Sequence, residues 1–124
     1  MTIKDYFSST KGKGVLSTSD SSGNVDSAVY SRPHFMEDGT LAFIMHDRLT
    51  HANLTSNPKA VYLFIEDGKG YKGKRLFLNK LREEENSPLI EEIQRRYYDL
   101  EPGEKRYLVF FEISKELPLV GSGQ

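Results

Sequence analysis

Two runs of strand-forming residues, Leu41 to Met45 and Ala60 to Glu66, limit this chain more than any other feature. Each is apolar almost without interruption, so neither face of such a strand suits water, and both runs belong in a structure covered on both sides. A helix can cover one side; a second subunit is the other candidate. Between the runs, Asp47-Arg48-Leu49-Thr50 leads into His51 to Ser56, a stretch long enough for two helical turns and too polar for a core helix. Asn57-Pro58 stops it, because the residue before a proline is pushed out of the helical region.

The flanking segments read as short elements joined by turns. Thr2-Ile3-Lys4-Asp5 has the form of a capping box opening a short helix, which Gly12-Lys13-Gly14 ends. Val15 to Thr18 suits a strand, Ser19 to Asn24 a turn, and the alternating Val25 to Tyr30 a second strand, so a hairpin is predicted. A loop at Arg32-Pro33 and a turn at Glu37-Asp38-Gly39 follow, then Leu41 to Met45. Past Asp67-Gly68-Lys69-Gly70 comes a strand at Arg75 to Leu81. Ser87-Pro88 opens a helix with apolar residues at Leu89, Ile90, Ile93, Tyr97 and Leu100, broken by Glu101-Pro102-Gly103. Tyr107 to Ile113 is the last strand. The sum is mainly β: a small antiparallel barrel of five to six strands with two to three short helices.

With 124 residues the chain supports one domain, residues 1–124. Its 17 Lys plus Arg against 18 Asp plus Glu give a net charge of −1, without the electrostatic footprint of a nucleic-acid binder. The basic group Lys69, Lys72, Lys74 and Arg75 with Tyr71 reads as surface. No apolar run approaches the roughly 20 residues of a membrane span and no basic-then-apolar signal pattern opens the chain, so a soluble cytoplasmic protein is predicted. Having no Cys excludes disulfides, thiolate chemistry and iron–sulfur ligation. His34, His46 and His51 lack the spacing of a helical ligand pair, and no metal site is predicted. Glu83-Glu84-Glu85 reads as a solvated loop, and Glu91-Glu92 with Arg95-Arg96 as i, i+4 pairs on a wet helix face.

Chemistry concentrates where strand meets helix, from Ile44 to Leu54. A helix N-terminus exposes N–H groups and partial positive charge, so Arg48 and Thr50 there can make a phosphate site. The bland alternative is that Thr50 caps the helix and Arg48 is a solvated charge. Tyr30-Ser31-Arg32, ending the preceding hairpin strand, offers further hydroxyls and a second guanidinium.

The order of elements, with Arg48-x-Thr50-x-x-Asn53-Leu54 and then Asn57-Pro58-x-x-Val61-x-Leu63-Phe64, resembles the pyridoxamine 5'-phosphate oxidase-like FMN-binding split barrels. Gly73 before Arg75-Leu76 and the closing strand Tyr107 to Phe111 extend the resemblance over nearly the whole chain. It implies a six-stranded antiparallel split barrel that forms a homodimer, with FMN in the groove between subunits. The phosphate contacts it implies fall on Arg48, Leu49 and Thr50 and on Tyr30, Ser31 and Arg32; main chain along Ile44, Met45 and His46 would face the flavin ring. Thr50 stands where many relatives carry Lys. The chain ends in Leu117 to Gln124 without the Arg-rich segment that grips the substrate phosphate in the vitamin-converting oxidases, so it resembles a short member. The implied function is a flavin-dependent oxidoreductase on a small molecule; the alternatives are an FMN-binding electron carrier or sensor, and a cofactor-free interaction barrel.

Overall fold

A computed structural model describes residues 2–94 and 103–121. Among them the order is α1 (Ile3–Ser9), β1 (Gly12–Ser19), β2 (Val25–Tyr30), β3 (His34–Phe35), β4 (Leu41–His46), α2 (Leu49–Ser56), β5 (Lys59–Glu66), β6 (Gly73–Glu85), α3 (Leu89–Ile93) and β7 (Arg106–Pro118). The strands form one antiparallel sheet in the order β2-β1-β5-β6-β7-β4-β3. It curls into a half-barrel: the rings of Tyr30 on β2 and Phe43 on β4 meet edge to face at 5.8 Å although four strands separate them in the ladder. Alternation along the strands fills the interior with Leu16, Phe43, Tyr62, Phe64, Leu76 and Phe111, all at most 2% exposed. Phe7 of α1 plugs this core. Among the described residues no helix is long and apolar enough to cross a membrane.

The capping box opens α1 as expected, with the Asp5 N–H donating to Thr2 Oγ1 at 3.1 Å and the Thr2 N–H to Asp5 Oδ2 at 3.4 Å. Gly12 and Gly14 do not end that helix, contrary to expectation; they begin β1. A Cβ on Gly12 would stand 2.2 Å from the Ile65 carbonyl oxygen, and one on Gly14 would stand 1.9 Å from the Tyr62 hydroxyl. These glycines allow β5 and its side chains to lie close against β1.

Among the described residues there are seven strands, one more than the barrel expected. The addition is β3, two residues pairing His34 with Ala42 and Phe35 with Leu41, too short to leave a periodic signal. Glu83, Glu84 and Glu85 are not in a loop, because β6 runs on to pair them with Val109, Leu108 and Tyr107 of β7 after shifts of register at Phe77/Leu78 and Lys80/Arg82. Cations offset the acids there: Lys80 beside Glu83, Arg82 beside Glu84 and Lys105 beside Glu85. Helix α3 begins one residue after Pro88, and the Ser87 hydroxyl accepts from the Leu89 N–H at 3.3 Å. The expected continuation through Tyr97 and Leu100, the Arg95-Arg96 pairs and the break at Glu101-Pro102 lie outside the described residues.

The two-faced strand β4 is covered by the chain itself. Leu41, Phe43 and Met45 face the barrel interior, while Ala42 packs with Ile90 of α3, Leu108 and Phe110 in a second cluster flanked by Met36, Ile44 and Ile93. On the outer face of β2, β1 and β5 no such cover exists among the described residues. The register sets Val29 beside Val15 and Val15 beside Leu63, and Val25, Val29 and Ile65 are exposed.

Candidate functional site

Two residues, Asp47 and Arg48, separate β4 from helix α2, with Arg48 as N-cap in an extended conformation and no side chain capping the helix. The N–H groups of Leu49, Thr50 and His51 therefore lack the acceptors that an interior turn would supply. The Ala52 N–H already donates to the Arg48 carbonyl at 3.0 Å and adds nothing to a cradle. Thr50 is buried and does not cap the helix; its hydroxyl donates to Asp26 Oδ2 at 3.4 Å and stands beside the Tyr30 phenol. Burial pushes that phenol above its ordinary range, with the Asp26 charge adding to it, while the neighbouring Thr50 hydroxyl and the Arg48 charge pull the other way.

Tyr30, Arg48 and Thr50 are thus brought to one place, and Asp26 joins them. The Arg48 side chain is 70% exposed, and its Nη2 donates to Glu104 Oε1 at 2.9 Å. Leu49 sits exposed at the first helical position.

Ile44, Met45 and His46 pair through one edge with Leu108, Tyr107 and Arg106 of β7. On the other edge β3 reaches only Leu41 and Ala42, so among the described residues no strand pairs with that edge of β4 beyond Ala42. The side chain of Met45 points into the core and that of Ile44 toward the α3 cluster, which leaves main chain as what these two can show a ligand. His46 is partly exposed, with Nδ1 2.9 Å from Glu104 Oε1.

Ser31 and Arg32 are directed elsewhere. The Arg32 Nη1 donates to the carbonyls of Phe7 at 2.8 Å and Thr10 at 3.1 Å, closing the end of α1. Both residues line an open groove of about 300 Å³ with Lys11, Gly12, Lys13, Val29 and Asp67.

His51 is nearly buried and stacks on the Tyr107 ring at 3.7 Å. Its Nε2 lies 3.0 Å from both Glu83 oxygens, and its Nδ1 lies 3.5 Å from Asp47. Burial alone would raise the Glu83 carboxyl, but hydrogen bonds from Lys80 and His51, together with their charges, outweigh it and hold the group below the ordinary carboxylate range. Among the described residues no group of three or more His, Asp or Glu side chains is arranged to hold a metal ion.

Asp26 and Glu104 were not anticipated. The β2 alternation places Asp26 on the same face as Tyr30, a usable signal; Glu104 lies 56 residues from Arg48 and carries no local one.

No family model matches the sequence, and no curated protein does. Solved structures do. The chain is similar to an FMN-binding protein from Syntrophomonas wolfei subsp. wolfei at 23% identity and a TM-score of 0.70, over 93% of this chain and 82% of that one. It is similar to an F420 reductase at 12% identity and 0.71, over 91% and 94%. A candidate pyridoxamine 5'-phosphate oxidase from Lactobacillus delbrueckii matches at 13% and 0.67, over 94% and 93%. At such identities the likeness establishes the fold, which agrees with the split barrel that the sequence resemblance implies.

Proposed function

We propose that this split barrel binds FMN along the ledge made by the unpaired edge of β4 and the uncapped start of α2, and acts as a flavin-dependent oxidoreductase on a small molecule. One observation carries the reading: the open main-chain edge past Ala42 runs directly into three helix N–H groups flanked by Arg48. Such a ledge suits the group asked of it. N–H groups and a guanidinium match a phosphate, and an open strand edge matches the polar rim of a flat heterocycle. Thr50 and Tyr30 add hydroxyls, and the hydrogen bond from Thr50 holds Asp26 to one side.

A bound flavin supplies the electron transfer; the chain's residues anchor the phosphate, orient the ring and shape the opening. The fold is shared with proteins described as FMN-binding and as an F420 reductase, which supports a flavin-type ligand. Freshly purified protein should be yellow, show flavin absorbance bands and release FMN on denaturation. A colourless protein that takes up no added FMN would sink the reading. Steady turnover with a reduced nicotinamide and an acceptor separates an enzyme from an electron carrier.

The partner in this reading is a second copy of the chain, seated on the outer face where Val15, Val29, Leu63 and Ile65 lie together. A permanent apolar interface should bury on the order of 2,000 Å² in total. Light scattering should give twice the 14.2 kDa chain mass at micromolar concentration. A monomer mass with flavin still bound would remove both the dimer and a cofactor groove shared between subunits.

A further inference from the structure

We propose that Glu104 is a positioning residue of this ledge, a single carboxylate that holds the Arg48 guanidinium and the His46 imidazole in one arrangement. One oxygen, Oε1, lies 2.9 Å from Arg48 Nη2 and 2.9 Å from His46 Nδ1. His46 ends β4 and Arg48 caps α2, whereas Glu104 comes from the approach to β7, so the contact ties together three separate segments. Glu104 is only 12% exposed against 70% for Arg48, which makes the carboxylate the fixed member and the guanidinium the member being fixed. A carboxylate has no proton to give, so the short contact to His46 requires the proton on Nδ1 and puts the lone pair of the neutral ring on Nε2. Arg48 keeps four further N–H donors for an anion while Nη2 is engaged.

The consequence for a ligand rests on the flavin reading. Two effects oppose each other there. A carboxylate repels a phosphate, but the two would share a guanidinium that stands mostly in solvent, where the high dielectric keeps the interaction of charges several ångström apart weak. A long side chain already held in one rotamer, by contrast, has no ordering left to lose when the phosphate arrives, and this gain is not screened. Positioning therefore outweighs repulsion. Glu104→Ala should weaken FMN roughly tenfold and leave riboflavin unchanged, since riboflavin has no phosphate to feel Arg48. Glu104→Gln retains an accepting oxygen in place and should lose about threefold or less. If both substitutions tighten FMN, Glu104 is a competitor for Arg48 and the proposal is overturned.

A second measurement needs no flavin. Nitrogen-15 spectra of the imidazoles in cofactor-free protein, taken where histidine is neutral, should show His46 as the Nδ1–H tautomer. That preference should persist in Glu104→Gln and vanish in Glu104→Ala. Finding His46 as the Nε2–H tautomer in the unaltered protein would overturn the arrangement even if FMN binds. An Nδ1–H tautomer in a protein that takes up no flavin would uphold the hold of Glu104 on His46 and remove the flavin reading instead.

Discussion

Replacing Phe64 with Ala should lower the unfolding free energy by about 3–5 kcal/mol, the range for emptying a buried aromatic site. Phe64 is fully buried at the centre of a chain of rings: Phe7 lies 4.9 Å away, Tyr6 at 6.1 Å and Tyr62 at 6.4 Å. Two of those rings belong to α1, so the truncation also loosens the seat of that helix, which is otherwise tied to the sheet by the Tyr6 hydroxyl donating to Glu66 at 2.6 Å. Denaturant unfolding monitored by circular dichroism gives the measurement. Tyr71→Ala is the control: Tyr71 is 84% exposed in the turn before β6 and away from the proposed subunit interface, so its truncation should leave stability within about 0.5 kcal/mol. A Phe64→Ala loss below about 1 kcal/mol would mean that the core is not centred on these rings.

The other large effect concerns Arg48. A charge-assisted contact to a phosphate is worth roughly 1.5–3 kcal/mol, so Arg48→Ala should weaken FMN about 10- to 150-fold at 1.4 kcal/mol per decade. Titration calorimetry or flavin fluorescence quenching reads the change. Riboflavin affinity should barely move, because the guanidinium has nothing to contact on it. Melting of the cofactor-free protein should also hold steady, since the Arg48 end of the pair with Glu104 is mostly in solvent and exposed ion pairs contribute little. Equal weakening of riboflavin and FMN would make Arg48 a structural residue and turn attention to the groove beside Arg32, Lys11 and Lys13.

Much of this arrangement is legible in the sequence. The apolar runs at Leu41 and Ala60, the alternation in Val25 to Tyr30, the Thr2–Asp5 box and the stop at Asn57-Pro58 are local signals, and each is an element or an element boundary in the fold. What misled was local chemistry overridden by distant partners. Three consecutive glutamates look like a loop until β7 supplies a ladder and Lys80, Arg82 and Lys105 supply charge. Gly12 and Gly14 look like a helix stop until β5 lies against them. The site divides in the same way. Arg48, Thr50 and Tyr30 could be grouped from the strand-to-helix junction and the strand before it. The use of Arg32 on α1 carbonyls and the reach of Glu104 to β4 depend on contacts 22 to 58 residues apart, which no local pattern encodes.

The position of β7 between β6 and β4 decides when a growing chain can complete its sheet. As residues leave the ribosome, β1 can fold back on β2 across the Asp20–Asn24 turn, and β5 can fold on β6 soon after its own turn. Strand β4 must wait, because its partner at His46 is Arg106. During that interval Phe43 and Met45 have no finished interior to enter, and β4 and β6 each present a bare edge. Synthesis halted before residue 106 would leave a sticky fragment, a natural client for a chaperone, and the pace of translation across residues 47–105 would set how long each nascent chain spends at risk.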